Sequence, residues 1–226
     1  AAAVDVSVAG RFAVREGLER AGAVAYFSAE RRLLAIYTCA AGQLFTPEDS
    51  AAWRHAKFVV ETSLFLASQA EHLGLHLVHT NGVLGASRDA LPPAHPLRRL
   101  LKPFLYRTAA INRRATMTLM PLGGINHRAT GTTQESWPQF SHAAMGSYAY
   151  RPLPRWLEAA ALPEEVAAAL PIVQDGLPLF RAFERFATAY VAEFWPGGDA
   201  DVAADAALCA YWAAADGVRR GGPRFG

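Results

Sequence analysis

One stretch constrains the fold more than any other: Thr46 to Asn81, TPEDSAAWRHAKFVVETSLFLASQAEHLGLHLVHTN. It reads as a single long helix. Thr46 is a good N-cap, and Pro47 suits the first helical position, where a missing N–H costs nothing. Asp49 stands three residues after Thr46, as in a capping box, and with Glu48 it favours the positive helix end. No Pro or Gly interrupts the run until Gly74, and Asn81-Gly82 supplies a stop signal. At ~1.5 Å per residue the helix would be roughly 50 Å long, against a usual length of about 11–12 residues. Its middle, Phe58-Val59-Val60 and Leu64 to Ala67, is apolar on nearly every side. A helix of that kind is expected at the centre of a large domain. Glu61 breaks the apolar run, which is shorter than the ~20 residues a membrane span needs.

The far end of this helix carries His72, His76 and His79. At about 100° per residue the three lie within roughly 60° of one another. Histidines at i and i+4 can share a metal ion. His72 and His79 are ~10 Å apart along the axis, too far for metal–nitrogen bonds of ~2.0–2.1 Å unless the helix is distorted. Gly74 permits such a distortion. The competing reading is a hydrated polar face on an otherwise buried helix.

Around this element the chain reads as mainly α with a small β element near the N-terminus. Residues 11–22 fit a short amphipathic helix ending at Gly22. Ala23–Phe27 and Leu33–Thr38 read as strands joined by a charged turn at Glu30 to Arg32. A helix from Leu97 to Leu105 breaks or kinks at Pro103, and Thr108 to Leu119 forms another. Residues 121–136, with Pro121, Gly123-Gly124 and a polar run from His127, read as a long loop. Trp137 to Gly146 is helical, capped by Ser136. Arg155–Ala161 and Pro163–Leu170 are short helices, and Asp175-Gly176 is a turn. Leu177–Trp195 shows a clear apolar stripe. A last helix starts at Asp199 or Asp201 and is closed by Gly217.

The 226 residues are about half apolar, enough for a substantial core, and carry a net charge of +2. No block of like charge marks a nucleic-acid binder. Arg98-Arg99-Leu100-Leu101-Lys102 and Arg113-Arg114 read as solvated helix faces. Cys39 and Cys209 are too few for a disulfide framework. The N-terminus lacks the basic region and apolar core of a signal peptide. It also lacks an initiator methionine, and the chain stops in a Gly-rich stretch, so both ends read as cut. The chain reads as soluble, with its compartment open. There is no G-x-G-x-x-G, no P-loop, no C-x-x-C and no G-x-S-x-G.

A wider set of residues resembles the catalytic domain of lipoxygenases. It comprises His72-Leu73-Gly74 and His76-Leu77-Val78, Arg88, His95-Pro96-Leu97, Leu100 to Pro103, Ile111-Asn112, Leu119 and Gly123-Gly124. Phe45-Thr46-Pro47, Trp53 and Ala56-Lys57 upstream resemble the same domain. So do Asp175-Gly176-Leu177, Tyr190-Val191, Asp199, Val202, Asp205, Leu208 and Trp212 downstream. The order matches throughout, and the resemblance covers about residues 10–220 of a chain read as one partial catalytic domain.

The resemblance implies a helical domain around a long central helix that supplies two histidines, five residues apart, to a non-haem iron. A later histidine, often an asparagine, and the C-terminal carboxylate complete the family site. The implied reaction converts polyunsaturated fatty acids and dioxygen to hydroperoxides, and peripheral contact with lipid is compatible with it. Imidazole and carboxylate ligands with an open position suit such an iron. His72 falls on the second of the two helix histidines, whereas the first falls on Ala67. His76 matches a further family histidine only with one residue deleted, and becomes a ligand only in a rebuilt site. His142 reads as structural. Arg88 pairs with a carboxylate or approaches a fatty-acid head group; Leu64, Phe65, Leu75, Leu84 and Ile111 either line a fatty-acid channel or, more simply, belong to the core. No catalytic residue is assigned. The alternative is a non-catalytic lipoxygenase-like domain that binds lipid or a partner and has lost its metal.

Overall fold

Ala23–Phe27 and Leu33–Thr38 form the strands that their β-branched and aromatic content predicts. The computed structural model describes residues 2–219 and adds a strand on either side of this pair. β1 (Ala2–Asp5), β2 (Ala23–Phe27), β3 (Leu33–Thr38) and β4 (Gln43–Phe45) pair in sequence order, all antiparallel. The charged turn between β2 and β3 places Arg31 at φ 63°.

The residues group into two packed units. One holds the chain up to Leu75 together with Asn112–Tyr148; the other holds His76–Ile111 and the chain from Ala149 on. In the first, helix α1 (Ala51–Leu73) lays Ala56, Val59 and Val60 against Val6, Ala23, Ala25 and Ile36 of the sheet side. Only one face of α1 is covered. Phe58, Leu64 and Phe65 are exposed, so burial on all sides, expected from the sequence, does not hold.

The long helix is also subdivided. Thr46 and Asp49 do form a capping box, but around a single 3-10 turn, Pro47–Asp49. Ser50 then takes φ 51°, which ends that turn, and α1 begins at Ala51. At Gly74 the backbone widens into a π-helical segment, Gly74–Thr80. Asn81-Gly82 does not stop the helix. Asn81 Nδ2 donates to Leu77 O at 3.4 Å, Gly82 is buried, and α2 runs from Asn81 to Ala90.

The helix expected over residues 11–22 does not form; beyond Arg11 the segment is irregular. A 3-10 turn, Ser7–Arg11, precedes it, and Gly17 and Gly22 take φ 78° and 109°. A Cβ at Gly22 would lie 2.8 Å from Gly10 N, so the two backbones meet only because the residue is glycine. The predicted loop 121–136 contains α5 (Ile125–Thr130), ended by Gly131 in the left-handed region. Val14 and Thr132 then form an isolated antiparallel bridge. α4 (Thr108–Thr118) and α6 (Ser136–Ser147) lie where expected. The N-cap position of α6 is Glu135, which makes no side-chain cap; Thr133 Oγ1 accepts from Ser136 N, and Ser136 Oγ accepts from Ala13 N.

In the second unit Ala86 and Leu91 pack with Trp195, Leu208 and Tyr211. α3 (Pro96–Leu101) stops before Pro103, as proline requires. α7 (Leu153–Ala160) and α8 (Glu164–Ala168) are short. α9 (Pro171–Phe194) runs straight through Asp175-Gly176, which is not a turn. The last predicted helix is two, α10 (Asp199–Ala204) and α11 (Ala206–Arg219), and Gly217 lies inside α11 rather than closing it. The Gly-rich stretch from residue 220 lies outside the described residues. Among the described residues no helix is long and apolar enough to cross a membrane.

Candidate functional site

The histidine end of the helical run begins with a close approach. A Cβ at Gly74 would fall on the ring and Cβ of Tyr148. Only glycine lets Tyr148 come so near the backbone, and the π-helical segment starts at this residue. A π turn bonds i to i+5 rather than i+4. The 100° step that set His72, His76 and His79 on one face therefore does not apply beyond Gly74.

His72 sits in the last turn of α1 and is exposed. Five residues earlier, Ala67 is half-buried and packs against the core beneath the sheet. Leu75 is exposed. His76 is half-buried, and its carbonyl accepts from Thr80 Oγ1 at 2.8 Å. His79 stacks on Tyr150 with centroids 4.7 Å apart and planes 12° apart. Burial holds the His79 imidazole below the usual histidine range. His142 is exposed on α6.

Among the described residues no three His, Cys, Asp or Glu side chains gather in a way that could hold a metal ion. A methyl group at Ala67, facing the sheet core, offers no donor atom. The donor set present does not fit a complete metal site.

Leu84 and Arg88 do come together. Four residues apart on α2, they line one groove of about 420 Å³ in the second unit. Leu84 is a buried wall residue and Arg88 is exposed. Leu75, His72 and His76 are not among the groove's lining residues. The other cations there are Arg98, Lys102 and Arg107, beside Leu105 and Tyr106. Arg98 is anchored by Nη1, which donates to Leu91 O at 2.5 Å. Arg107 lies 5.6 Å from the Tyr106 ring centroid.

These extra cations escaped the sequence reading, which assigned 98–102 to a solvated face. The available signal was Arg98 and Lys102 at i, i+4, hence on one side of α3 and its last turn. Arg107 is brought in by a turn with φ 60° that no propensity marks.

His95, Trp195 and Asp205 form the unit's polar anchor. Asp205 Oδ2 accepts from His95 Nε2 and Trp195 Nε1, both at 3.1 Å, and Oδ1 accepts from Leu208 N at 2.9 Å. His95 Nδ1 accepts from Leu97 N at 3.2 Å, capping α3. This geometry holds α3 to α11 through side chains engaged in packing.

A helical domain with a long histidine-bearing helix, its π-helical distortion and an apolar groove with a cationic side defines the class. The lipoxygenase family model matches residues 36–221. The chain belongs to the lipoxygenase family. Among rice proteins (Oryza sativa subsp. japonica) it is similar to "Lipoxygenase 7, chloroplastic", 30% identical over 200 residues. It is 29% identical over 182 residues to "Linoleate 9S-lipoxygenase 2". These matches cover 75% and 71% of this chain but 20% of each rice protein, so the chain spans about a fifth of their length. Among solved structures a manganese lipoxygenase superposes with TM-score 0.83 at 23% identity, over 99% of this chain and 42% of that one. A structure of the manganese lipoxygenase of Gaeumannomyces graminis gives TM-score 0.79 at 22% identity, over 96% and 41%. At these identities the structural matches establish the fold.

Proposed function

We propose that the protein carrying this chain converts polyunsaturated fatty acids and dioxygen to hydroperoxides, as a lipoxygenase-type dioxygenase. Both packed units are taken as parts of one catalytic domain. Family membership supports the reading, and the groove carries it. Leu84 and Leu105 offer an apolar wall to an acyl chain, while Arg88 offers a cation to its polar end. Holding an amphiphile at its polar end and the start of its chain fixes its register, and register decides which methylene reaches the reacting centre.

His72 is the one residue here assigned to the family's catalytic metal, with His76 a second only in a rebuilt site. The metal is iron by family resemblance, and manganese is the alternative suggested by the name of the structural relatives. Leu75 is assigned to the acyl channel. Among the described residues no three potential ligands gather to complete the set. Overall, one dioxygen is added across one C–H bond, so atoms and electrons balance without a further reductant.

The test is elemental analysis after incubation with Fe(II), Mn(II) and Zn(II), with His72→Ala as control, and conjugated-diene formation from linoleate. Near-stoichiometric iron or manganese, lost in the control, together with diene formation supports the enzyme. Linoleate binding with neither metal nor diene would replace it with the non-catalytic lipid-binding reading.

A further inference from the structure

We propose that the basic groove of the second unit binds the phosphate monoester head group of a lipid, so that the acyl substrate is presented in phospholipid form. The proposal rests on the reading that this groove receives the polar end of the acyl substrate. It names that polar end.

The argument begins with charge. Arg88, Arg98, Lys102 and Arg107 line the groove, and none of its lining residues is acidic. A free fatty acid brings one negative charge on two oxygens. A phosphate monoester brings ≈ −1.5 to −2 on three acceptor oxygens. Four cations around one space match the second more closely. Planar guanidinium forks also pair with phosphate in a bidentate manner.

The second argument is geometric. Arg107 adopts φ 60°, a region that side-chain-bearing residues rarely occupy. The turn is held by Leu105 N donating to Leu101 O at 3.0 Å and Thr108 N donating to Leu105 O at 3.2 Å. Backbone of this type concentrates at ligand-binding sites. Arg98 is fixed through its bond to Leu91 O, so part of the charge is preorganised. The groove's about 420 Å³ falls within the usual range for small-ligand pockets, and the apolar Leu84 and Leu105 beside the cations suit the start of an acyl chain.

The probes are vesicles of neutral phosphatidylcholine alone, or with phosphatidic acid, or with oleate at matched surface charge. Binding of the 226-residue chain is read by co-sedimentation, with glycerol 3-phosphate as soluble competitor. Phosphatidic acid vesicles should bind, neutral vesicles should not, and glycerol 3-phosphate should compete. Lys102→Gln and Arg107→Gln, both at exposed positions, should each weaken binding about fivefold. Lys102→Arg should retain it. Equal binding to oleate vesicles overturns the proposal in favour of a carboxylate. Binding of glycerol 3-phosphate without vesicle binding overturns the lipid source. Unchanged binding in both Gln variants overturns the site. These readouts need no metal and no diene formation, so failure of the dioxygenase reading would be seen separately.

Discussion

His95 Nε2 lies 3.1 Å from Asp205 Oδ2 across 110 residues of sequence. Because His95 Nδ1 accepts from Leu97 N, the neutral ring carries its proton on Nε2, the atom facing the carboxylate. Asp205 also receives Trp195 Nε1 and Leu208 N. Asp205→Ala would strand two side-chain donors and remove a backbone partner at the start of α11. The expected cost is about 2–4 kcal/mol, read as a lower urea midpoint by tryptophan fluorescence. A change below ~0.5 kcal/mol, the range of ordinary surface substitutions, would show that the three bonds are replaceable by water.

The same carboxylate makes a pH prediction. Leu208 N–H, with His95 and Trp195, holds Asp205 below the usual carboxylate range. Its ionised form is favoured in the fold, so this stability is present above the unfolded pKa of about 3.9 and is lost as pH falls through the lower, folded value. In Asp205→Asn the loss of stability below about pH 4 should be shallower than in the parent, measured as urea midpoint against pH. Parallel curves would remove Asp205 from the account of acid unfolding.

His79 behaves with the opposite chemistry and the same sign. Its burial, against the Tyr150 ring on one face, holds the ring below the usual histidine range through desolvation, favouring the neutral form. Below about pH 6.5 the unfolded chain takes up a proton that the folded one resists. Stability should therefore fall as pH drops from about 7.5 to 5.5, and His79→Gln should flatten that fall. Identical slopes in the two proteins would assign the effect to other groups.

What was legible in the sequence follows physical locality. β2 and β3 matched because alternation and β-branching are local signals. The distortion at Gly74 was legible as a permission, since glycine lacks a Cβ, but Tyr148, which packs against that glycine, is 74 positions away in the chain. Asn81-Gly82 failed as a stop because Asn81 bonds back to Leu77 and Gly82 is buried; tertiary packing overrode local propensity. Residues 11–22 carried a helical pattern, but the glycines there serve positive-φ backbone. In the candidate site, Leu84 and Arg88 share a groove because i, i+4 spacing survives in α2. Arg107 joins them through a turn that spacing cannot reveal.

Ser63 shows how a single hydroxyl ties α1 to the sheet side. It is fully buried, donates to Val59 O at 2.6 Å and accepts from Gly22 N at 2.8 Å. In Ser63→Ala the buried Gly22 N–H loses its acceptor. The expected loss is about 1–3 kcal/mol, although alanine is the better helix former. Equilibrium unfolding measures it, and a gain in stability would show that the amide finds another partner.

Gly74 gives the sharpest contrast of sign. In an ordinary helix, Gly→Ala stabilises by roughly 0.8–1 kcal/mol. Here the added methyl would overlap Tyr148 at its ring and Cβ, which lie close to the backbone and cannot swing away as a flexible tip would. Gly74→Ala should therefore destabilise, by an amount typical of overpacking, about 1–3 kcal/mol. Tyr148→Ala alone removes a packed ring and should also destabilise. The two substitutions should not add, because the second removes the ring atoms that the first strikes, leaving only the Cβ contact. A double-mutant cycle on urea midpoints tests this. Strict additivity would separate the glycine from the tyrosine.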